Sequence, residues 1–178
     1  VHHTNGSRII LGEPAGGITE RLQRVCVALD AAGFEAVRST DIRLDVWTKL
    51  VGNLSFNPIA ALTGYLMSEI VADQDVLDVI RAMMREGMQV SEHYGVRIPM
   101  TVEQRIDLAR ELGGAKISML QDLEQRRKLE LDAIVGSVFR MGVPPTPKLK
   151  LLQVGGAGYD AVEIDVLPKG VTLCNVFE

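Results

Sequence analysis

Trp47-Thr48-Lys49-Leu50-Val51-Gly52-Asn53-Leu54-Ser55-Phe56-Asn57-Pro58-Ile59-Ala60-Ala61-Leu62 is the stretch on which the fold turns. Leu50, Val51, Leu54, Phe56, Ile59 and Leu62 recur at helical spacing, so the segment predicts a helix built for burial. Lys49, Asn53 and Asn57 interrupt the apolar run at i, i+4 and i+8, which sets them along one face. A cation and two amides on a buried helix cost free energy unless something satisfies them. Two readings stay open on spacing alone. Neighbouring backbone groups or waters hydrogen-bond the row, or the row faces a cleft that receives an anionic or carbonyl substrate. Pro58 is expected to kink or restart the helix, because it lacks an amide donor and disfavours helical geometry at Asn57.

Downstream, the pattern predicts helix almost throughout residues 45–141. Asp73 or Asp75 begins a second helix through about His93, with Val76, Val79, Ile80, Met83 and Met84 inward. The methionines at 83, 84 and 88 read as adaptable core filling. Thr101 caps a third helix, with Gln104 at the capping-box position, and Gly113-Gly114 breaks it. A further helix runs towards Gly142, and its charged run Glu124–Glu130 is expected to be a solvated helix face. Ser118, alone, is unremarkable.

Upstream, Arg8–Leu11 reads as a strand, and Gly12–Gly17 as a turn. Thr19 then caps a helix carrying Leu22, Val25, Cys26 and Leu29, which ends at Gly33. Phe34–Val37 is a second strand, and Asp41 caps the helix that contains Lys49. Beyond Val143-Pro-Pro-Thr-Pro-Lys148, a stiff linker signal, Leu149–Val154 and Val171–Cys174 read as strands of a new α/β unit. Gly156-Ala-Gly158-Tyr-Asp-Ala161 matches a dinucleotide pattern, but Pro168 stops its helix too early for a phosphate site, so a tight turn explains it better. The chain opens at Val1 and stops after an apolar run, so a fragment with two cut ends is expected.

Composition narrows the function classes. A net charge of −4, a pI near 5.4 and 4% aromatic residues give no footprint for nucleic acid. No apolar run reaches the length of a membrane span, and no signal peptide opens the sequence. Cys26 and Cys174 lie far apart, without companion ligands, and His2, His3 and His93 lack partners. Neither a metal site nor a disulfide framework is expected, and a cytoplasmic location is the default.

Several separated motifs then combine. Leu11-Gly-Glu-Pro14, Ala32-Gly-Phe34, Trp47, Lys49-x-x-x-Asn53-x-x-x-Asn57-Pro58, Leu62-Thr-Gly64, Ser118-Met-Leu-Gln-Asp122 and Glu130-Leu-Asp-Ala-Ile-x-Gly136 stand in order. Residues 8–147 thereby closely resemble the C-terminal half of ketopantoate reductases, which reduce 2-dehydropantoate to pantoate with NADPH. The resemblance implies a mainly α fold, the helical C-terminal domain of the 6-phosphogluconate-dehydrogenase-like type, over residues 46–142. A β-α-β remnant of a Rossmann nucleotide-binding domain would precede it at 1–45, and a linker with a truncated α/β segment would follow at 143–178. The main NADPH-binding domain would be absent from the chain. Residues 148–178 resemble instead a stretch of D-2-hydroxyacid dehydrogenases.

By the same resemblance, Lys49 is the proton-donating lysine, and Asn53, Asn57 and Ser118 bind substrate. Glu130 contacts the cofactor and supports the lysine; the family's usual threonine before it is Leu129 here. The chemistry is coherent, because hydride delivery to a ketone builds charge on oxygen that needs a proton or a fixed cation. Partial burial of Lys49 is expected. A homodimer through the helical domain is the expected assembly. The alternatives are a reductase of another 2-oxo acid and a non-catalytic helical dimerisation module.

Overall fold

The computed structural model describes residues 7–140 and the strand segments 151–154 and 172–175. The chain divides into two compact units, between Lys49 and Leu50. In the first, β1 (Arg8–Gly12), α1 (Glu20–Ala31) and β2 (Glu35–Ser39) form one β-α-β unit, with the strands parallel and Arg8 opposite Glu35. Leu22 and Cys26 of α1 pack on Ala36, flanked by Leu11 and Leu29. Polar staples hold the connections. The buried Glu13 carboxylate accepts from Thr19 Oγ1 and from Arg21, which hold it below its ordinary pKa. Asp30 accepts from Ala36 N–H at 2.9 Å and from Arg38 at 2.7 Å, tying the end of α1 to β2. Thr19 caps α1, Gly33 turns the chain at φ +89°, and Asp41 accepts from Leu44 N–H, all where the sequence places them.

α2 (Ile42–Thr63) crosses the division as one helix. The second unit continues it with α3 (Met67–Ala72), α4 (Gln74–His93), α5 (Val102–Glu111), α6 (Ser118–Glu124), and a π-helical turn (Asp132–Gly136) running into α7 (Ser137–Arg140). The described chain is therefore mainly helical. α4 turns Leu77, Ile80, Met84, Gly87 and Val90 inward at helical spacing, and Ile106 and Ala109 of α5 join the same buried set. Arg81 binds Glu103 at 2.9 Å and so links α4 to α5. Asp73 caps α4 by accepting from Asp75 and Val76 N–H, and Thr101 with Gln104 forms the predicted capping box of α5.

Four expectations are corrected. Of the two expectations for Pro58, the restart is corrected: α2 runs through it, because buried Val51, Phe56 and Ala60 on both sides outweigh a local cost of about 3 kcal/mol. Val76, Val79 and Met83 are not fully buried, and Val79 is exposed, because the inward stripe follows Leu77, Ile80 and Met84 instead. The last helix is not continuous. Residues 125–130 leave it, so the charged run at 124–130 is mostly a loop rather than a helix face. α3 was not legible in advance; Glu69 caps it from inside by accepting from Leu66 N–H at 2.7 Å. β3 (Leu151–Val154) and β4 (Thr172–Asn175) pair in parallel, near the expected positions. The expected linker at 143–147 and the glycine turn at 156–161 lie outside the described residues.

Ile80 is completely buried, and truncation leaves a cavity that the surrounding helices only partly refill. Ile80→Ala should therefore cost about 2–5 kcal/mol, read as a lower denaturant midpoint at constant m-value.

Candidate functional site

Lys49, Asn53 and Asn57 stand on the single helix α2, so the row predicted from spacing exists along one face. What aims that face is packing on the other side. Val51 lies roughly opposite the row at about 100° per residue and Leu54 between the two, and Gly87 of α4 meets both. A Cβ at Gly87 would approach Leu54 Cδ2 to 3.2 Å and Val51 Cγ2 to 3.3 Å, so glycine lets the helices pack closely without displacing these side chains.

The row is graded along its length. Lys49 is exposed, Asn53 is partly buried, and Asn57 is buried at 5% exposure. The expected partial burial of Lys49 is thus corrected: its long side chain extends from the helix into solvent. Among the described residues, Asn57 has no hydrogen-bond partner for its side chain, whereas Ser55 next to it bonds Val51 O. A buried amide with open donors and acceptor suits a bound carbonyl, hydroxyl or carboxyl group.

Ser118 is the first residue of α6, and its exposed hydroxyl caps nothing; Ile117 occupies the cap position without a side-chain bond. Glu130 is exposed two residues before the π-helical turn and accepts Ile134 N–H through its backbone carbonyl. Its carboxylate remains an acceptor for a hydroxyl or amide donor. Asn53, Asn57, Ser118 and Glu130 make no hydrogen bonds with one another among the described residues. Between Ser118 and Glu130 the chain turns through Arg126, which has φ +53°, with Arg127 bound to Asp122 at 2.7 Å. A left-handed residue with a Cβ is strained, and glycine is not. Arg126→Gly should raise stability by about 1 kcal/mol, measured as a higher denaturant midpoint.

Arg105 gives no signal in its own local sequence pattern. Its guanidinium, carried by α5, fills the space over Gly52 of α2. Burial pushes it below its ordinary pKa, and Nε is buried without a hydrogen-bond partner. The signal available in sequence was Gly52 itself, a helix-interior glycine that costs helix propensity without an evident return. Among the described residues, no group of three or more His, Cys, Asp or Glu could hold a metal ion, and no helix is long and apolar enough to cross a membrane.

Comparison with known proteins places these features in context. The family profile described as "Ketopantoate reductase PanE/ApbA C terminal" matches residues 41–152. A 2-dehydropantoate 2-reductase from Mesorhizobium japonicum is 44% identical over 152 residues, 84% of this chain and 47% of that protein. One from Archaeoglobus fulgidus is 32% identical over 132 residues, 74% of this chain and 45% of that protein. The crystal structure of 2-dehydropantoate 2-reductase from Methylococcus capsulatus matches with a TM-score of 0.71 at 31% identity, covering 79% of this chain and 45% of that one. The chain spans about half the length of the curated relatives it matches.

Proposed function

The chain belongs to the ketopantoate reductase family through its C-terminal domain, and from that premise we propose that it supplies the substrate-binding half of an NADPH-dependent reductase of 2-dehydropantoate. The observation that supports this reading is the graded row on α2, an exposed ammonium followed by a partly buried and a buried amide. NADPH, when bound, supplies the hydride. This chain's residues do the rest. Lys49 donates the proton to the oxygen that gains charge. Asn53, Asn57 and Ser118 hydrogen-bond the carboxyl and hydroxyl groups and hold the ketone in place. The exposed Glu130 carboxylate accepts from a donor of the cofactor and supports the lysine. Residues 1–45 belong to the nucleotide-binding half, residues 46–142 carry the substrate, and a homodimer forms through the helical unit in the cytoplasm.

The test is a fusion. The N-terminal half of the Mesorhizobium japonicum relative, joined ahead of this chain, should give NADPH oxidation that depends on 2-dehydropantoate. A well-folded fusion that prefers another 2-oxo acid would keep the chemistry and replace the substrate, since the same donors suit any such acid with a further hydroxyl. A folded fusion inert towards all 2-oxo acids would leave the row on α2 a structural feature.

A further inference from the structure

The guanidinium of Arg105 has no role in the site as assigned so far. It lies where the Cβ of residue 52 would be, with Cζ 2.9 Å from that position and Nη2 closer still, so Gly52 leaves a notch that the cation occupies. Nε is buried there without a partner, and among the described residues the side chain makes no ion pair. A desolvated cation without an anion is costly, and truncating or pairing it is the usual remedy. Its planar fork fits a carboxylate through two parallel N–H···O bonds. Gly52 follows Lys49 by three residues on the same helix, which makes these two positions neighbours on its surface. A 2-oxo acid carries its carboxylate on the carbon bonded to the ketone. An anion held at Gly52 therefore leaves the ketone on the side of the helix that carries Lys49.

We propose that Arg105, seated over Gly52, binds the carboxylate of the 2-oxo acid substrate and selects acids against neutral ketones. This rests on the substrate reading given above and adds to it a residue and a discriminating charge.

The test follows the Arg105 Nε–H resonance and the side-chain amides of Asn53 and Asn57 by NMR in the full chain. The titrants are 2-dehydropantoate, pyruvate and inorganic phosphate. A saturable shift of Nε–H with 2-dehydropantoate, absent with phosphate at equal concentration, is expected. Arg105→Gln should weaken that binding at least tenfold, and Arg105→Lys, which keeps the charge but not the fork, should weaken it less. Gly52→Ala moves the guanidinium without removing it; it should weaken binding comparably while leaving the melting temperature no lower. That combination is foreign to a purely structural arginine. Amide shifts at Asn53 and Asn57 with Nε–H unmoved, or undiminished affinity in Arg105→Gln, would overturn the role of Arg105 and leave the substrate reading intact. Saturation by pyruvate but not 2-dehydropantoate would support Arg105 and overturn the substrate identity. An equal response to phosphate would reduce the notch to a general anion site and overturn the proposal. Silence towards both acids would overturn both readings.

Discussion

The 178-residue polypeptide alone should oxidise NADPH in the presence of 2-dehydropantoate no faster than buffer does. Hydride transfer requires the nicotinamide within near-contact distance of the ketone, and correct positioning is worth roughly 7–11 kcal/mol of barrier in oriented intramolecular reactions. In the function proposed above, most of the nucleotide-binding surface would come from the part of the relatives that this chain does not match. The contact proposed for the nucleotide on the described residues is the exposed carboxylate at Glu130. An assay of NADPH absorbance with polypeptide, substrate and both together checks this directly. The fusion described above should recover turnover of several orders of magnitude over the polypeptide. Ketopantoate-dependent oxidation by the unfused polypeptide at enzymic rates would show that positioning comes from residues not assigned to it here.

How much of this was legible beforehand follows from which interactions are local. Helix caps are local: Thr19, Asp41, Asp73 and Thr101 each accept from N–H groups two or three residues ahead, and all were readable from the sequence. The i, i+4, i+8 row was readable for the same reason, since one helix carries all of it. Pro58 does not restart α2 because its cost is local whereas the packing that outweighs it is tertiary. The break at 125–130 was missed because a charged run looks the same on a helix face and in a loop, and Arg126 at φ +53° is not a residue that announces a turn. Arg105 was invisible for the deepest reason. Its meaning depends on Gly52, more than fifty residues earlier, and nothing in either local pattern joins them. A helix-interior glycine beside polar residues is the one trace such an approach leaves in sequence.

Lys49→Ala in the fused enzyme should lower kcat by roughly 10²–10⁴-fold, the range for losing a positioned general acid, or about 3–5 kcal/mol of transition-state stabilisation. The geometry argues for a clean measurement. Lys49 is exposed and stands outside the buried set that holds α2 through Val51, Phe56 and Ala60, so its removal should leave the denaturation midpoint nearly unchanged. Alanine is also a good helix former, and α2 has no need of the ammonium to persist. The loss should fall on kcat rather than KM if the lysine acts only as charge develops on oxygen, because an interaction made only in the transition state lowers kcat and kcat/KM together. Asn57→Ala should divide differently. Its buried amide is proposed to hold substrate before and during reaction, so KM should rise along with any fall in kcat. Steady-state rates of both variants against 2-dehydropantoate, alongside their unfolding curves, separate the two roles. Full activity in Lys49→Ala would remove the lysine from the chemistry and return the polar row on α2 to ordinary helix structure.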